Sequence, residues 1–177
     1  NDGLDLMGSN VRLVDSTLKS NGDKGISVGE GTSLFAVNNV IDGNAIGVES
    51  KDGSVALMFN HDFIGNKQAL NAYTKNWQYG SGGHIFLSKS KLILNDIDAS
   101  AKKDSHIYLF DTFANPEEQD KQVVYYEVDE VSKEDASETD WLPLHLQSNE
   151  MVIDLLSTIP PEQLGRIHPN SRGVIHQ

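Results

Sequence analysis

The chain has 177 residues, no cysteine and a formal net charge of −12. This charge disfavours nucleic acid and anionic membrane surfaces as partners, because binding either one requires a positive field. The lack of cysteine excludes a disulfide framework, thiolate catalysis and thiolate metal sites. No apolar run approaches the ~18 residues that insertion across a membrane requires.

A repeat of about 22 residues occupies the first hundred residues. It is marked by four asparagines at intervals of 23, 22 and 29 residues: Asn21, Asn44, Asn66 and Asn95. Apolar or small residues recur three, eight and ten positions before each asparagine. The last interval is longer because residues 73–83, which are rich in aromatic residues and glycine, are inserted between two repeats.

Each repeat contains short alternating stretches that are separated by Asn, Gly, Asp and Ser. This pattern is typical of a parallel β-helix, in which successive coils stack about 4.8 Å apart and equivalent side chains form ladders. The asparagines are expected at a turn, where their amides can bond the equivalent residue in the next coil. The sequence therefore predicts an all-β fold of about four coils over residues 1–104.

Three segments, residues 22–30, 44–48 and 55–60, resemble the right-handed parallel β-helix family, which is pectate-lyase-like in architecture. That family includes polysaccharide lyases, glycoside hydrolases, adhesins and surface domains without known chemistry. The resemblance implies a right-handed coil and a secreted, cell-surface or periplasmic module that contacts polysaccharide. We also expect the module to be part of a larger protein, for a reason that lies in the first residues.

The chain begins with the end of a repeat, since residues 3–6 (GLDL) match residues 25–28 (GISV). A bare solenoid end exposes backbone hydrogen-bonding groups and core side chains. We therefore expect upstream coils, or a partner chain, at residues 1–10.

The region from 105 to 177 has a different composition. It contains all five prolines, and residues 101–177 carry 6 basic and 15 acidic residues, a net charge of −9, against −3 for residues 1–100. Residues 105–110 and 121–128 read as strands, the first being a last partial coil or the start of another element, and residues 148–156 and 160–164 read as short helices. We expect a small α+β or irregular appendage that caps the coils or docks on a partner.

Charged residues at neighbouring turns could form a catalytic groove. Lyase chemistry on a uronic-acid glycan needs a base, for which Lys51 or Lys75 is suited, and a cation to neutralise the carboxylate. Asp23, Glu30 and Asp52 would then be ligands of calcium as a cofactor. Glycoside hydrolysis would instead need two carboxylates, for which Glu30 and Asp52 are the best pair.

Aromatic residues of the insertion are candidates for sugar binding. Trp77, Tyr73 and Tyr79 could stack on a sugar ring, and Lys24 could bind the substrate from an adjacent coil. An alternative is that the loop only covers the flank of the solenoid.

A noncatalytic interpretation competes with each of these roles. The neighbouring charges Asp23–Lys24 and Lys51–Asp52 could be salt bridges that hold adjacent coils in register. His61 aligns with the polar residues Ser16 and Asn39 and is expected at the surface. The chain would then be a structural or adhesive assembly subunit.

Overall fold

The computed structural model describes residues 1–110, 112–115 and 122–126, and for residues 124–126 it describes the backbone alone. A short 3₁₀ turn, Trp77–Tyr79, and fifteen strands lie within these ranges. The strands are, in chain order, β1 (Leu4–Met7), β2 (Asn10–Val14), β3 (Thr17–Lys19), β4 (Lys24–Gly29), β5 (Ser33–Val37), β6 (Val40–Asp42), β7 (Ile46–Lys51), β8 (Val55–Phe59), β9 (Asp62–Ile64), β10 (Gln68–Tyr73), β11 (His84–Ser88), β12 (Lys91–Ile93), β13 (Ile97–Ala101), β14 (His106–Phe110) and β15 (Val123–Tyr126).

These strands form three parallel sheets that the chain visits in rotation. Sheet A has the order β1-β4-β7-β10-β13, sheet B has the order β15-β14-β11-β8-β5-β2, and sheet C has the order β12-β9-β6-β3. Each coil therefore adds one strand to each sheet. The predicted parallel β-helix is confirmed.

The solenoid has about five turns, against the four coils expected. Strand β14 pairs with β11 in the same parallel register as the earlier coils, with His106 beside His84, and β15 pairs with β14. The expected number was lower because the coils were counted by their asparagines, and β14 follows the last of these, Asn95.

Stacked apolar ladders fill the interior of the solenoid. In sheet A, Ile26, Val48 and Leu70 are register neighbours and are fully buried. Sheets B and C contribute equivalent rows to the same core, among them Leu34, Ala56, Ile85, Ile41 and Phe63. Each large side chain buried in this way stabilises the fold by roughly 1.5–3 kcal/mol.

The asparagine ladder lies at the turn between sheets C and A, as predicted. The Nδ2 groups of Asn21, Asn44 and Asn66 donate to the Oδ1 atom of the next asparagine at 2.8, 3.0 and 3.0 Å. The same Oδ1 atoms accept the backbone N–H of the preceding asparagine at 2.9–3.0 Å. The ladder thus satisfies buried backbone donors that a turn would otherwise leave unpaired.

A second polar ladder lies at the turn between sheets B and C, and it contains His61. The imidazole Nε2 of His61 lies 3.0 Å from Nδ2 of Asn39, and the backbone N–H of His61 donates to Oγ of Ser90 at 3.0 Å. His61 is fully buried, so the expectation that it lies at the surface is wrong. Burial lowers the pKa of its imidazole to about 4.

Several predictions fall on residues that the structure does not describe. These are the helices at 148–156 and 160–164 and most of the proposed cap. Strand β15 lies inside the expected strand 121–128. The expected coils or partner at residues 1–10 stay a prediction. Among the described residues, no helix has the length and apolar character needed to cross a membrane.

Candidate functional site

A compact group of charged side chains lies on the outward side of sheet A. The ammonium Nζ atoms of Lys24 and Lys51 lie 3.9 and 3.7 Å from Oε1 of Glu49. Lys24 Nζ also lies 2.6 Å from Oδ2 of Asp23 and 3.8 Å from Oδ1 of Asp2. We call these five residues the sheet A charge cluster. Its formal net charge is −1.

Glu49 is the centre of this cluster. Its side chain is only 4% exposed, and its Oε2 accepts a hydrogen bond from Nδ2 of Asn71 at 3.0 Å. Its Oε1 is shielded from solvent and has no hydrogen-bond partner among the described residues. The two ammonium groups therefore supply the compensation that a buried carboxylate requires.

Tyr73 and Lys51 are neighbours on β10 and β7, where they are paired in register. Burial raises the pKa of Tyr73, and the negative charge of Glu49 raises it further. The ammonium of Lys51 donates to Oγ of Ser27 at 3.1 Å. The phenol of Tyr73 is therefore held in its protonated form, and the ammonium of Lys51 already has a hydrogen-bond partner.

Lys24 is held as an ion pair. Burial acts to lower the pKa of Lys24, but the hydrogen bond to Asp23 and the charges of Glu49 and Asp2 outweigh it, so that the pKa is raised. The same hydrogen bond lowers the pKa of Asp23. The ion pair of Asp23 and Lys24 is therefore present within one coil, and Lys24 approaches the adjacent coils through Asp2 and Glu49. Among the described residues Lys51 pairs with Glu49 and not with Asp52, so the expected Lys51–Asp52 salt bridge is wrong.

Asp52 anchors the inserted loop. Its buried Oδ1 accepts hydrogen bonds from the backbone N–H groups of Lys75 and Asn76, both at 2.7 Å. The side chain of Asn76 in turn accepts the N–H of Gln78 and caps the 3₁₀ turn at 3.0 Å. These contacts fix the start of a turn whose first residue, Trp77, is 81% exposed.

A second set of contacts closes the other end of the loop. The backbone N–H of Gly53, next to Asp52, donates to the carbonyl oxygens of Ser81 and Gly82 at 3.0 Å. Tyr79, the last residue of the 3₁₀ turn, is 42% exposed. The loop thus presents two aromatic rings to solvent from a backbone that is held at both ends.

The structure brings together only part of the predicted site. The catalytic candidate Lys51 lies on one face with Lys24 and Tyr73, which were predicted to bind substrate. Glu30 and Asp52 occupy equivalent turn positions, both with a left-handed backbone (φ 57° and 55°). The Asp52 carboxylate nevertheless already accepts hydrogen bonds from backbone amides. Lys75 contacts it through the backbone N–H of Lys75.

The carboxylates expected to bind calcium are not gathered into one group. Within the described ranges, no set of three or more His, Cys, Asp or Glu residues is arranged to hold a metal ion. Asp23 bonds Lys24, whereas Asp52 bonds the backbone of the inserted loop.

Glu49 and Asn71 are the members of the site that the sequence reasoning missed. A signal was present, because Asp5, Ser27, Glu49 and Asn71 occupy one register position on successive strands of sheet A and are all polar. This row of polar residues runs along the outward side of sheet A, and its members Ser27 and Glu49 are buried.

Comparison of the chain with protein-family models, with curated proteins and with solved structures gives no match.

Proposed function

We propose that this chain is a noncatalytic module of a secreted or cell-surface protein, and that it contacts polysaccharide through the loop around Trp77. The observation that carries the proposal is the 81% exposure of Trp77 on an anchored backbone. Aromatic rings offer a large, rigid apolar surface that loses little conformational entropy on binding.

The anchoring of the loop is what distinguishes Trp77 from an ordinary exposed apolar residue. Single exposed apolar side chains are common on protein surfaces and need no function. Here the buried carboxylate of Asp52 is committed to two N–H groups immediately before the 3₁₀ turn. A ring presented from a fixed backbone is preorganised, which reduces the entropy lost when a ligand binds.

The charges favour a glycan of low charge over a polyanion. Both lysines of the sheet A charge cluster are paired, the cluster has a net charge of −1, and the whole chain carries −12. A polyuronate would meet a field of its own sign. This preference departs from the uronic-acid glycan considered from the sequence.

A panel of immobilised neutral and uronate glycans tests the proposal. We expect retention on at least one neutral polysaccharide, with a loss of at least about tenfold in affinity, or ~1.4 kcal/mol, for Trp77→Ala. Phe113→Ala is the matched control, because Phe113 is 79% exposed and follows Thr112 at a different turn. No binding by the unmodified chain, or equal losses in the two variants, would count against the proposal.

A second candidate, a lyase acting on a uronate polymer, is favoured by one observation: Lys51 and Tyr73 are adjacent in register. In this scheme Lys51 would remove the proton and Tyr73 would protonate the leaving oxygen. It ranks second because Lys51 already bonds Ser27 and lies close to Glu49. Ultraviolet-absorbing unsaturated products from a uronate polymer, abolished in Tyr73→Phe, would support the lyase and contradict the noncatalytic proposal.

A further inference from the structure

The outward side of sheet B carries large apolar side chains on strands β5, β8 and β11, beside polar residues such as Ser33, His84 and Ser88. Along β5, β8 and β11, alternate residues belong to the core, and the residues between them point away from it. Four of these outward residues are large and apolar, and we call them the sheet B outer patch: Phe35, Leu57, Phe59 and Phe86. A strand that is apolar on both faces is typical of a sheet that is covered on both faces.

The sheet B outer patch is also buried. Leu57 and Phe86 are only 1% and 2% exposed. Side chains on adjacent strands cover the sides of these residues, as in the diagonal contact of Phe35 with Phe59 at 5.7 Å between ring centroids. Neighbours in the same sheet leave the top of an outward side chain open, since side chains stand roughly perpendicular to the sheet.

Position on the sheet does not by itself bury such a residue. Val14 belongs to the same outward row as Phe59, through Val37, but lies on the edge strand β2. Val14 is 49% exposed, whereas Phe59 is 6% exposed. The outward residues are therefore buried in the middle of sheet B and exposed at its edge strand β2.

We propose that residues 141–164 of this same chain bind the sheet B outer patch. The last described strand, β15, lies at the far edge of sheet B, so the chain continues from the sheet that must be covered. Of the 51 residues that follow Tyr126, residues 127–140 are mostly acidic and polar, whereas residues 141–164 are rich in apolar side chains. These are Trp141, Leu142, Leu144, Leu146, Met151, Val152, Ile153, Leu155, Leu156, Ile159 and Leu164.

The intervening segment is long enough to reach. Strand β5 is four strand positions from β15 in sheet B, a distance of about 19 Å at ~4.8 Å per strand. The 14 residues from 127 to 140 can extend over as much as ~46 Å. A tethered segment also has a high effective concentration at its site, which favours it over a second molecule.

The proposal gives the C-terminal region a role that differs from capping a solenoid end or docking on a partner. It would shield an apolar sheet face, which otherwise is prone to association. It is independent of the proposed glycan contact, because Trp77 lies in the loop that joins sheets A and B, outside the sheet B outer patch.

Photo-crosslinking in the full chain tests this proposal. Benzoylphenylalanine placed at Phe35, in an equal mixture of isotopically light and heavy chains, should link to residues 141–164 of the same chain. The same probe at Val14, which is exposed, should give at most a tenth of that yield. Links between light and heavy chains, links to another segment, or no link from Phe35 would overturn the proposal.

A second measurement covers the case in which the probe disturbs folding. Leu155→Asp combined with Leu156→Asp should release the cover and raise the fluorescence of a hydrophobic dye at least about twofold, while the β-sheet circular dichroism signal is kept. Ser148→Asp combined with Ser157→Asp is the control of equal added charge and should leave dye binding unchanged. Equal dye binding by the two double variants would contradict the proposal.

Discussion

Replacing Asn66 by alanine measures how much the asparagine ladder contributes to stability. The Asn66 side chain accepts hydrogen bonds from the backbone N–H and the Nδ2 group of Asn44 at 2.9 and 3.0 Å. It donates to the carbonyl oxygen of Ile41 at 2.9 Å and to Oδ1 of Asn95 at 3.0 Å. Alanine removes all four bonds at once.

The expected loss follows from the burial of the groups that are left behind. Asn66 is 1% exposed and Asn44 is 2% exposed, so water reaches the abandoned donors and acceptors poorly. Each buried polar group without a partner costs about 1–3 kcal/mol. Because a water molecule can enter the vacated space and satisfy some of them, we expect a loss of about 4 kcal/mol. That is a large share of the ~5–15 kcal/mol that stabilises a typical domain.

Asn21 provides a matched control in the same ladder. Its side chain lies in the first described coil, is half-buried, and makes one hydrogen bond that the structure gives, to Oδ1 of Asn44 at 2.8 Å. Asn21→Ala should therefore cost about 1 kcal/mol. The two free energies of unfolding are measured in urea by circular dichroism. Losses within 1 kcal/mol of each other would refute the assignment of the cost to buried partners.

Three further changes probe separate parts of the structure. Because the pKa of His61 falls to about 4 on folding, from ~6.5 in an unfolded chain, protons bind the unfolded state first. Stability should thus drop by about 3 kcal/mol as the pH falls from ~6.5 to ~4, and His61→Asn should flatten this slope in urea unfolding at stepped pH. An unchanged slope would contradict the burial argument. At Gly83 an added Cβ would overlap a backbone oxygen of the adjacent coil, whereas at Gly22 it meets nothing within 4 Å. Gly83→Ala should therefore lower the midpoint of thermal unfolding steeply, and Gly22→Ala should not. Similar midpoints for the two variants would be inconsistent with this packing. Glu49→Ala removes the centre of a buried ion group and should lower the free energy of unfolding in urea by about 3 kcal/mol. Lys19→Ala, at an exposed ion pair, should leave the urea midpoint unchanged. Equal effects of the two variants would show that the burial of Glu49 does not matter.

The repeat made the architecture predictable, because every coil solves the same problem with the same residue types. Asn44 and Asn66 meet the same backbone donors at the same turn, so their spacing alone indicates the ladder. The apolar positions that recur before each asparagine, among them Leu34, Ala56 and Phe63, lie in the core for the same reason. The fifth turn escaped the count because it comes after the last asparagine marker.

The site was less predictable because the burial of an outward side chain depends on which other side chains approach it in the folded structure. Glu49 is polar, as are its register neighbours, and the sequence does not show that two lysine side chains fold over it. Asp52 was recognised as a charge at a turn, but its partners depend on the path of the inserted loop. His61 was misjudged because polar neighbours in an alignment indicate a ladder and do not show whether that ladder is buried.

Titration calorimetry with the neutral polysaccharide that the panel identifies tests the central claim most directly. The account predicts that Trp77→Ala raises the Kd by at least about tenfold, and that Phe113→Ala and Lys51→Ala leave it within about twofold. Binding that survives the loss of Trp77 but disappears with Lys51 would contradict the account, because the contact would then depend on charge and not on the exposed ring.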